Sequence, residues 1–371
     1  MTGTAPKTLE RSEAPQAPLN ARMLRWELEA PGVRNLALRE AARPEPGPGE
    51  VLVRVHAVSL NYRDLLIWEG RMGELAKPFI PGSDFSGEVV EVGPLVTRFG
   101  VGDRVIGLDV EDWVDGAAPG LRTNTVAVSG RLAEFAVVRE DMLVAAPLTL
   151  GWGEASTLPT AGLTAWMAVV EIGGVRAGQT WVVQGTGGVS LFAVQFAAAH
   201  GAKVILTSSS DEKLARGLEL GASAGVNYRT HPDWDRQVMA LTKGRGADAV
   251  IEMAAGENLA TSVEALTYGG RILLVGLLGS DRVTTPVGPL LLRRATLSAI
   301  GVGPRRALED MIRAIDSLGI RPVVAAAYDF ADLPAAVAHL QTGAVGKVVV
   351  QVQASPGVPR RLHGGTLALR H

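Results

Sequence analysis

The residues best suited to chemistry in this chain begin with one short loop. Gly185-Thr186-Gly187-Gly188-Val189-Ser190 directly follows the apolar run Trp181–Gln184 and directly precedes a stretch with helical patterning, Ser190–His200. Glycines at such a junction permit a tight turn and close backbone approach, and a helix N-terminus presents free N–H groups to an anion. That chemistry holds a pyrophosphate, so the spacing predicts a dinucleotide site at Gly185, Thr186, Gly187, Gly188 and Val189. Ser190 stands at the third glycine position, where a small side chain still lets the helix pack closely on its sheet. A bare glycine hexamer also reads as an ordinary tight turn, but its place at the head of a strand–helix series favours the cofactor.

The end of the next strand separates the two nicotinamide dinucleotides. An acid there bonds the ribose hydroxyls of NAD and repels the extra phosphate of NADP. Ser208 holds that position, followed by Ser209, Ser210 and Asp211. Asp211 is a candidate helix cap. Lys213 lies in the first turn of the following helix, and Tyr228 and Arg229 end a short strand. A phosphate of about −1.5 to −2 charge suits a cluster of Ser208, Lys213 and Tyr228, so the expected cofactor is NADP. Taken alone, Lys213 reads more readily as a solvated helix residue.

Several chemistries are excluded. The chain has no cysteine, which removes disulfides, thiolate nucleophiles, iron–sulfur clusters and any Cys-ligated zinc. Its histidines (56, 200, 231, 339, 363, 371) are scattered without ligand spacing. A net charge of −2 gives no basic field for nucleic acid or an anionic membrane. No apolar run is long enough to span a bilayer, and no basic start with an apolar stretch suggests a secretory signal. The expectation is a cytoplasmic protein with a small-molecule substrate.

The elements that must position these groups fall into two patterns. From residue 23 to 147 the pattern is all-β: Glu50–Val58, Gly87–Val92, Asp103–Leu108 and Ala133–Val138 read as strands, and Leu108–Gly130 as a polar surface loop. Ala155–Ile172 is helical in pattern. Beyond it the strands Trp181–Gln184, Lys203–Thr207, Asp248–Glu252, Arg271–Val275 and Thr296–Ile300 alternate with helices, which implies right-handed crossovers and a doubly wound parallel sheet. A final helix, Leu333–Gln341, and strand, Lys347–Val352, could return to the first domain. Residues 1–20 read as a disordered leader and 355–371 as a loose tail.

Asn61-Tyr62-Arg63-Asp64, Pro81-Gly82-Ser83-Asp84-Phe85-Ser86-Gly87, Gly102-Asp103-Arg104-Val105, Leu163-Thr164-Ala165-Trp166, the glycine loop and Gly346-Lys347-Val348 follow one another in this order. In this the chain resembles the zinc-independent medium-chain dehydrogenases/reductases, most closely the quinone oxidoreductase-like branch, over roughly residues 23–352. The resemblance implies an α/β plus β architecture: a GroES-like barrel domain (21–150 and 324–354), a Rossmann NADP-binding domain (151–323), and an active site in the cleft between them. It also implies a homodimer through the edge strand Thr296–Ile300. In zinc-dependent relatives a Cys, a His-Glu pair and a second Cys hold the catalytic metal. Asn61, Ser83 with Asp84, and Thr160 stand at those positions here, a set without thiolate or imidazole. No metal site is expected.

Without a Lewis acid, hydride transfer depends on cofactor positioning and on donors facing the developing charge. Reduction of a quinone or an activated C=C bond fits this better than alcohol oxidation, because conjugation carries the charge to an oxygen. By resemblance Asn61 and Thr164 lie at the nicotinamide, and Gly276 and Leu277 line its pocket. Tyr62 is either a hydrogen-bond or proton donor or a packed aromatic. Asp64 reads as a structural partner, of Arg63 for example, and Lys347 as a cofactor contact or a surface lysine. His56, Trp166 and Met167 read as packing residues. Three functions follow: an NADPH-dependent quinone or enone reductase, a zinc-independent alcohol dehydrogenase-like enzyme, and a non-catalytic NADP-binding protein.

Overall fold

The computed structural model describes residues 22–73, 75, 78–108, 110–119, 130–276 and 278–352. The expected leader and tail, part of the polar loop (109 and 120–129) and Leu277 lie outside the described residues.

The first half is built on strands. β1 (Arg22–Leu28) and β2 (Leu36–Ala42) form an antiparallel pair. β3 (Glu50–Leu60), β4 (Asp84–Val92), β5 (Arg104–Gly107) and β7 (Leu143–Ala145) pair successively and antiparallel, and β6 (Phe135–Arg139) pairs with β3. An α-helix interrupts this region, α1 (Tyr62–Trp68), where the sequence pattern predicts only strands. Its cause is local. Asp64 at the third helical position accepts a hydrogen bond from the N–H of the capping residue Asn61 (2.8 Å), which stabilises the first turn.

The segment expected as one helix over Ala155–Ile172 is helical but uneven. It comprises α2 (Trp152–Ala155), a wide π turn (Leu158–Gly162), α3 (Leu163–Trp166) and a second π turn (Met167–Glu171). Pro159 has no N–H to give, and the Thr160 N–H is diverted to the Asp84 carboxylate at 3.3 Å, so the first widened turn has a physical reason. Thr164 lies inside this helical run, within α3.

The second half is a parallel sheet of β8 (Thr180–Gln184), β9 (Lys203–Ser208), β10 (Ala224–Asn227), β11 (Ala247–Glu252), β12 (Leu266–Leu274) and β13 (Thr296–Ala299) in the order β10-β9-β8-β11-β12-β13. The intervening helices are α4 (Gly188–Ala199), α5 (Asp211–Glu219), α6 (Trp234–Leu241), α7 (Asn258–Glu264) and α8 (Val287–Arg293), and α9 (Arg305–Leu318) follows β13. Every residue of β8 is buried, as a strand covered on both faces must be. Phe192 and Phe196 of α4 are almost fully buried against the sheet, a gain of about 2–3 kcal/mol each. The strand order reverses between β8 and β11, so a crevice opens at their C-terminal ends.

The chain then returns. β14 (Val324–Asp329) and β15 (Lys347–Gln351), linked by α10 (Leu333–Gln341), extend the antiparallel sheet, with β15 paired to β3. A parallel bridge between Gly187 and Gly346, with the Gly346 N–H on the Thr186 carbonyl at 2.9 Å, ties β15 to the glycine loop. The two halves meet at this point.

Candidate active site

The glycine loop sits at the sheet's switch point. Gly185 has φ +76°, a conformation that only glycine adopts without strain, and its N–H donates to Thr207 (2.8 Å). Gly187 caps α4 and is exposed, Gly188 and Val189 are half-buried, and Thr186 is buried. Ser190 is buried and its hydroxyl donates to the Gln184 carbonyl at 2.7 Å, so the departure from glycine is accommodated without a stranded polar group. Gly276 follows β12, and a Cβ there would lie 2.1 Å from the Met253 carbonyl oxygen.

Beneath the loop lies a polar network that the sequence reading missed. Glu252 ends β11 fully buried. Its Oε1 accepts from the N–H groups of Ala254 (2.9 Å) and Ala255 (3.0 Å) and from Asn258 Nδ2 (2.8 Å). Its Oε2 accepts from Gln184 Nε2 (3.0 Å), Asn258 Nδ2 (2.9 Å) and the Ser262 hydroxyl. Gln184 Oε1 in turn accepts from the Met253 N–H at 3.1 Å. The ends of β8 and β11, the two walls of the crevice, are thus joined. An acid ending one apolar strand and an amide ending its parallel neighbour was the available signal.

The corner assigned to the 2′-phosphate forms in part. β10 pairs with β9 so that the Tyr228 N–H donates to the Ser208 carbonyl (3.0 Å), and Tyr228 is exposed. Ser208 itself is only 2% exposed, so its hydroxyl does not front the crevice; the half-buried Ser209 and Ser210 are more accessible. Ser210, rather than Asp211, caps α5 by accepting from the Lys213 N–H at 3.3 Å. The Lys213 ammonium reaches across to the Gly343 carbonyl at 3.3 Å.

At the other wall a second, largely buried network joins Asn61, Ser83, Asp84 and Thr160, the residues expected to replace the metal site of zinc-dependent relatives. Asn61 Nδ2 donates to Ser83 Oγ (3.3 Å) and Asp84 Oδ2 (3.0 Å). The Ser83 hydroxyl donates to Asp64 Oδ1 (2.9 Å), and the Thr160 hydroxyl donates to Asp84 Oδ1 (2.6 Å). Lys347, the first residue of β15, sends its ammonium into this cluster, donating to the Leu60 carbonyl (2.7 Å) and to Asn61 Oδ1. Lys347 is buried, so it is not a surface lysine. Burial, reinforced by the charge of Asp84, raises the pKa of the Asp64 carboxyl, while Arg63 opposes the shift. Burial lowers the Lys347 ammonium, with Asp84 and Asp64 opposing.

This network gives Asn61 and Asp64 their partners. Both Asn61 amide hydrogens are already engaged, so Asn61 positions its neighbours and has no free donor for a substrate. Asp64 makes its hydrogen bonds to Asn61 and Ser83. Tyr62, beside them on α1, is 43% exposed and so is not a packed aromatic. Thr164 lies buried within α3. His56 stacks on Trp152 (centroids 4.2 Å apart) with its pKa lowered by burial, a packing role. Trp166 packs edge-on against Phe196, likewise in the core.

Comparison with known proteins places this geometry. Residues 47–148 match the alcohol dehydrogenase GroES-like domain, and residues 188–317 match the family described as zinc-binding dehydrogenase. A zinc-type alcohol dehydrogenase-like protein of Schizosaccharomyces pombe is 37% identical over 316 residues, covering 82% of this chain and 91% of that protein. A quinone oxidoreductase of Mus musculus is 34% identical over 239 residues, covering 64% of this chain and 67% of its own length. The crystal structure of a putative alcohol dehydrogenase from Sinorhizobium meliloti superposes with a TM-score of 0.85 at 49% identity, covering 89% of this chain and 99% of that one.

The family implies two groups, which fit differently. A nicotinamide dinucleotide fits: a Cβ on Gly187, which caps α4, would meet no atom within 4 Å, so the open space at this helix N-terminus is kept free for a pyrophosphate. Zinc does not. Among the described residues no group of three or more His, Cys, Asp or Glu is placed to hold a metal ion. The amide and hydroxyls at the ligand positions are hydrogen-bonded to one another, and an ammonium already lies among them. The chain belongs to the medium-chain dehydrogenases/reductases of the alcohol dehydrogenase superfamily, a family of nicotinamide-dependent oxidoreductases.

Proposed function

We propose that the protein is a metal-free, NADPH-dependent reductase of quinones or α,β-unsaturated carbonyls. The observation that carries this reading is the Lys347 ammonium buried among Asn61, Asp84 and the Leu60 carbonyl, where a Lewis acid would otherwise polarise the substrate. Bound NADPH supplies the hydride. The chain's own part is to hold and orient. Backbone N–H groups of Gly187, Gly188 and Val189 at the start of α4 are available to the pyrophosphate. The Gln184–Glu252 network holds the crevice walls in register. Residues from both halves face the cleft, and Tyr62, with its exposed side chain, is the candidate to give a proton to the reduced acceptor. A conjugated acceptor needs no metal because its charge is delocalised to an oxygen that such a neutral donor can meet.

NADPH is preferred over NADH in this reading because no acid stands at the end of β9, and Ser209, Ser210, Lys213 and Tyr228 surround the corner. A homodimer belongs to the same reading. β13 is an edge strand, and Leu297 on it and Val287, Leu291 and Leu292 on α8 are exposed apolar residues that a second copy would cover. A cytoplasmic location is carried with it as an expectation that cell fractionation tests. Among the described residues no helix is long and apolar enough to cross a membrane.

Oxidation of a C–OH group is the second reading, favoured by the alcohol dehydrogenase-like names of the relatives. A panel of quinones, enones, aldehydes and alcohols, assayed with each cofactor at the nicotinamide absorbance band, separates the two. Turnover of quinones or enones with NADPH is expected. Turnover of alcohols alone favours the second reading, and cofactor binding without any turnover contradicts both.

A further inference from the structure

Among the described residues Lys347 is the one lysine that is buried, at 4% exposure. Its path is specific. The backbone is pinned beside the glycine loop through Gly346 and Thr186. The aliphatic stem then runs against Gly188 at the start of α4, so closely that a Cβ on Gly188 would sit 2.5 Å from Lys347 Cδ. The ammonium ends between the Leu60 carbonyl oxygen and Asn61 Oδ1, with Asp84 Oδ2 at 4.0 Å. Two fully buried carboxylates, Asp84 and Asp64, share this cluster, joined through Asn61 and Ser83. A cluster of buried carboxylates without a cation is costly, and removing one partner of a buried pair costs more than the pair contributes.

We propose that the Lys347 ammonium is the resident cation of the cleft, set where zinc-dependent relatives hold their metal and fixing the Asn61–Asp84–Asp64 cluster in its place. The inference rests on the metal-free part of the functional reading and does not depend on which acceptor is reduced. The shell that receives the ammonium consists of hard oxygen atoms: a main-chain carbonyl, an amide oxygen and a carboxylate. It contains no thiolate or imidazole, so it suits an ammonium or a hard divalent ion rather than zinc. Lys347 is a positioning residue in this account. It links the loop that takes the cofactor to Asn61 on the opposite wall by a single side chain.

The test is to remove the ammonium and ask whether another cation takes its place. In the full-length protein, Lys347→Ala should lower Tm by about 10 °C, the effect of stranding buried carboxylates in a protein of this size. The same variant should gain stoichiometric Mn2+, read as loss of the free Mn2+ signal in electron paramagnetic resonance, and recover Tm as Mn2+ is added. Wild-type protein should bind none, and Lys347→Ala combined with Asp84→Asn should lose the gained site. A merely structural lysine would not create a Mn2+ site when removed. If Lys347→Ala does not fold alone, folding in the presence of Mn2+ or ethylammonium supports the proposal, and failure with both overturns it. A Lys347→Ala protein that melts as wild type does and takes up no Mn2+ also overturns it. Stoichiometric zinc in purified wild-type protein would instead overturn the metal-free reading, so the two failures are distinguishable.

Discussion

Replacing Glu252 by Gln should damage the crevice without changing its shape. The two side chains are nearly isosteric, but one carboxylate oxygen becomes an NH2 group among donors. If the NH2 takes the Oε1 place, it faces the N–H groups of Ala254 and Ala255, which cannot turn away. If it takes the Oε2 place, the Ser262 hydroxyl can rotate to accept, but Gln184 must flip its amide. The flipped Gln184 then presents NH2 to the Met253 N–H, which its oxygen now satisfies. Either arrangement strands at least one buried donor, at about 1–3 kcal/mol. The remaining bonds also lose charge assistance, which roughly doubles the strength of such bonds. A total of about 3 kcal/mol follows, or a fall in Tm of about 6–12 °C. Thermal unfolding followed by calorimetry reads it, and isothermal titration with NADPH should show weaker binding, because the displaced segment 253–255 borders the crevice. A Glu252→Gln protein that melts within about 1 °C of wild type would refute the claim that this network holds the crevice walls.

Three further outcomes are expected. Lys213→Glu should weaken NADPH binding about tenfold or more and leave NADH nearly unchanged, since only the extra phosphate meets the reversed charge; equal losses in titrations of both cofactors would contradict the assigned corner. Burial tends to raise the Asp248 pKa, but Arg245 and the Thr180 N–H, both bonded to its carboxylate, outweigh it and hold the carboxyl low, so its contribution is present at neutral pH and lost as pH falls through that lowered value. Asp248→Asn should therefore cost about 1 kcal/mol in urea unfolding at pH 7, with the gap to wild type closing in acid; a gap that stays constant with pH would contradict this. Leu292→Lys on the exposed face of α8 should shift the protein toward monomer in sedimentation velocity, and an unchanged distribution would argue against that face as the dimer contact.

The sequence made some of this legible for stereochemical reasons. The glycine loop stood out because Gly185 needs a positive φ and Gly188 leaves no room for a Cβ, constraints that show in the residue types themselves. The parallel strands announced themselves as short apolar runs because both their faces are buried. Asn61, Ser83, Asp84 and Thr160, picked out as replaced ligand positions, do converge. What failed was side-chain direction and long-range partnership. Lys347 meets Asn61 across 286 positions, and no local pattern distinguishes a lysine turned inward from one in water. The Glu252 network joins residues from two strands and a helix, and each element alone looks ordinary. Ser208 has the right place in the chain, but its side chain turns into the interior. α1 was hidden by its strand-rich surroundings, although Asn61 with Asp64 three residues later carries the capping-box spacing.

In the proposed reading, hydride transfer takes place in a cleft whose cation belongs to the chain itself. The most direct test is turnover of NADPH with a quinone or enone, by protein that exhaustive chelation has made metal-free and elemental analysis has verified as such. Such protein should keep the activity of the untreated enzyme and gain nothing from added zinc. Activity lost on chelation and restored specifically by zinc would contradict it.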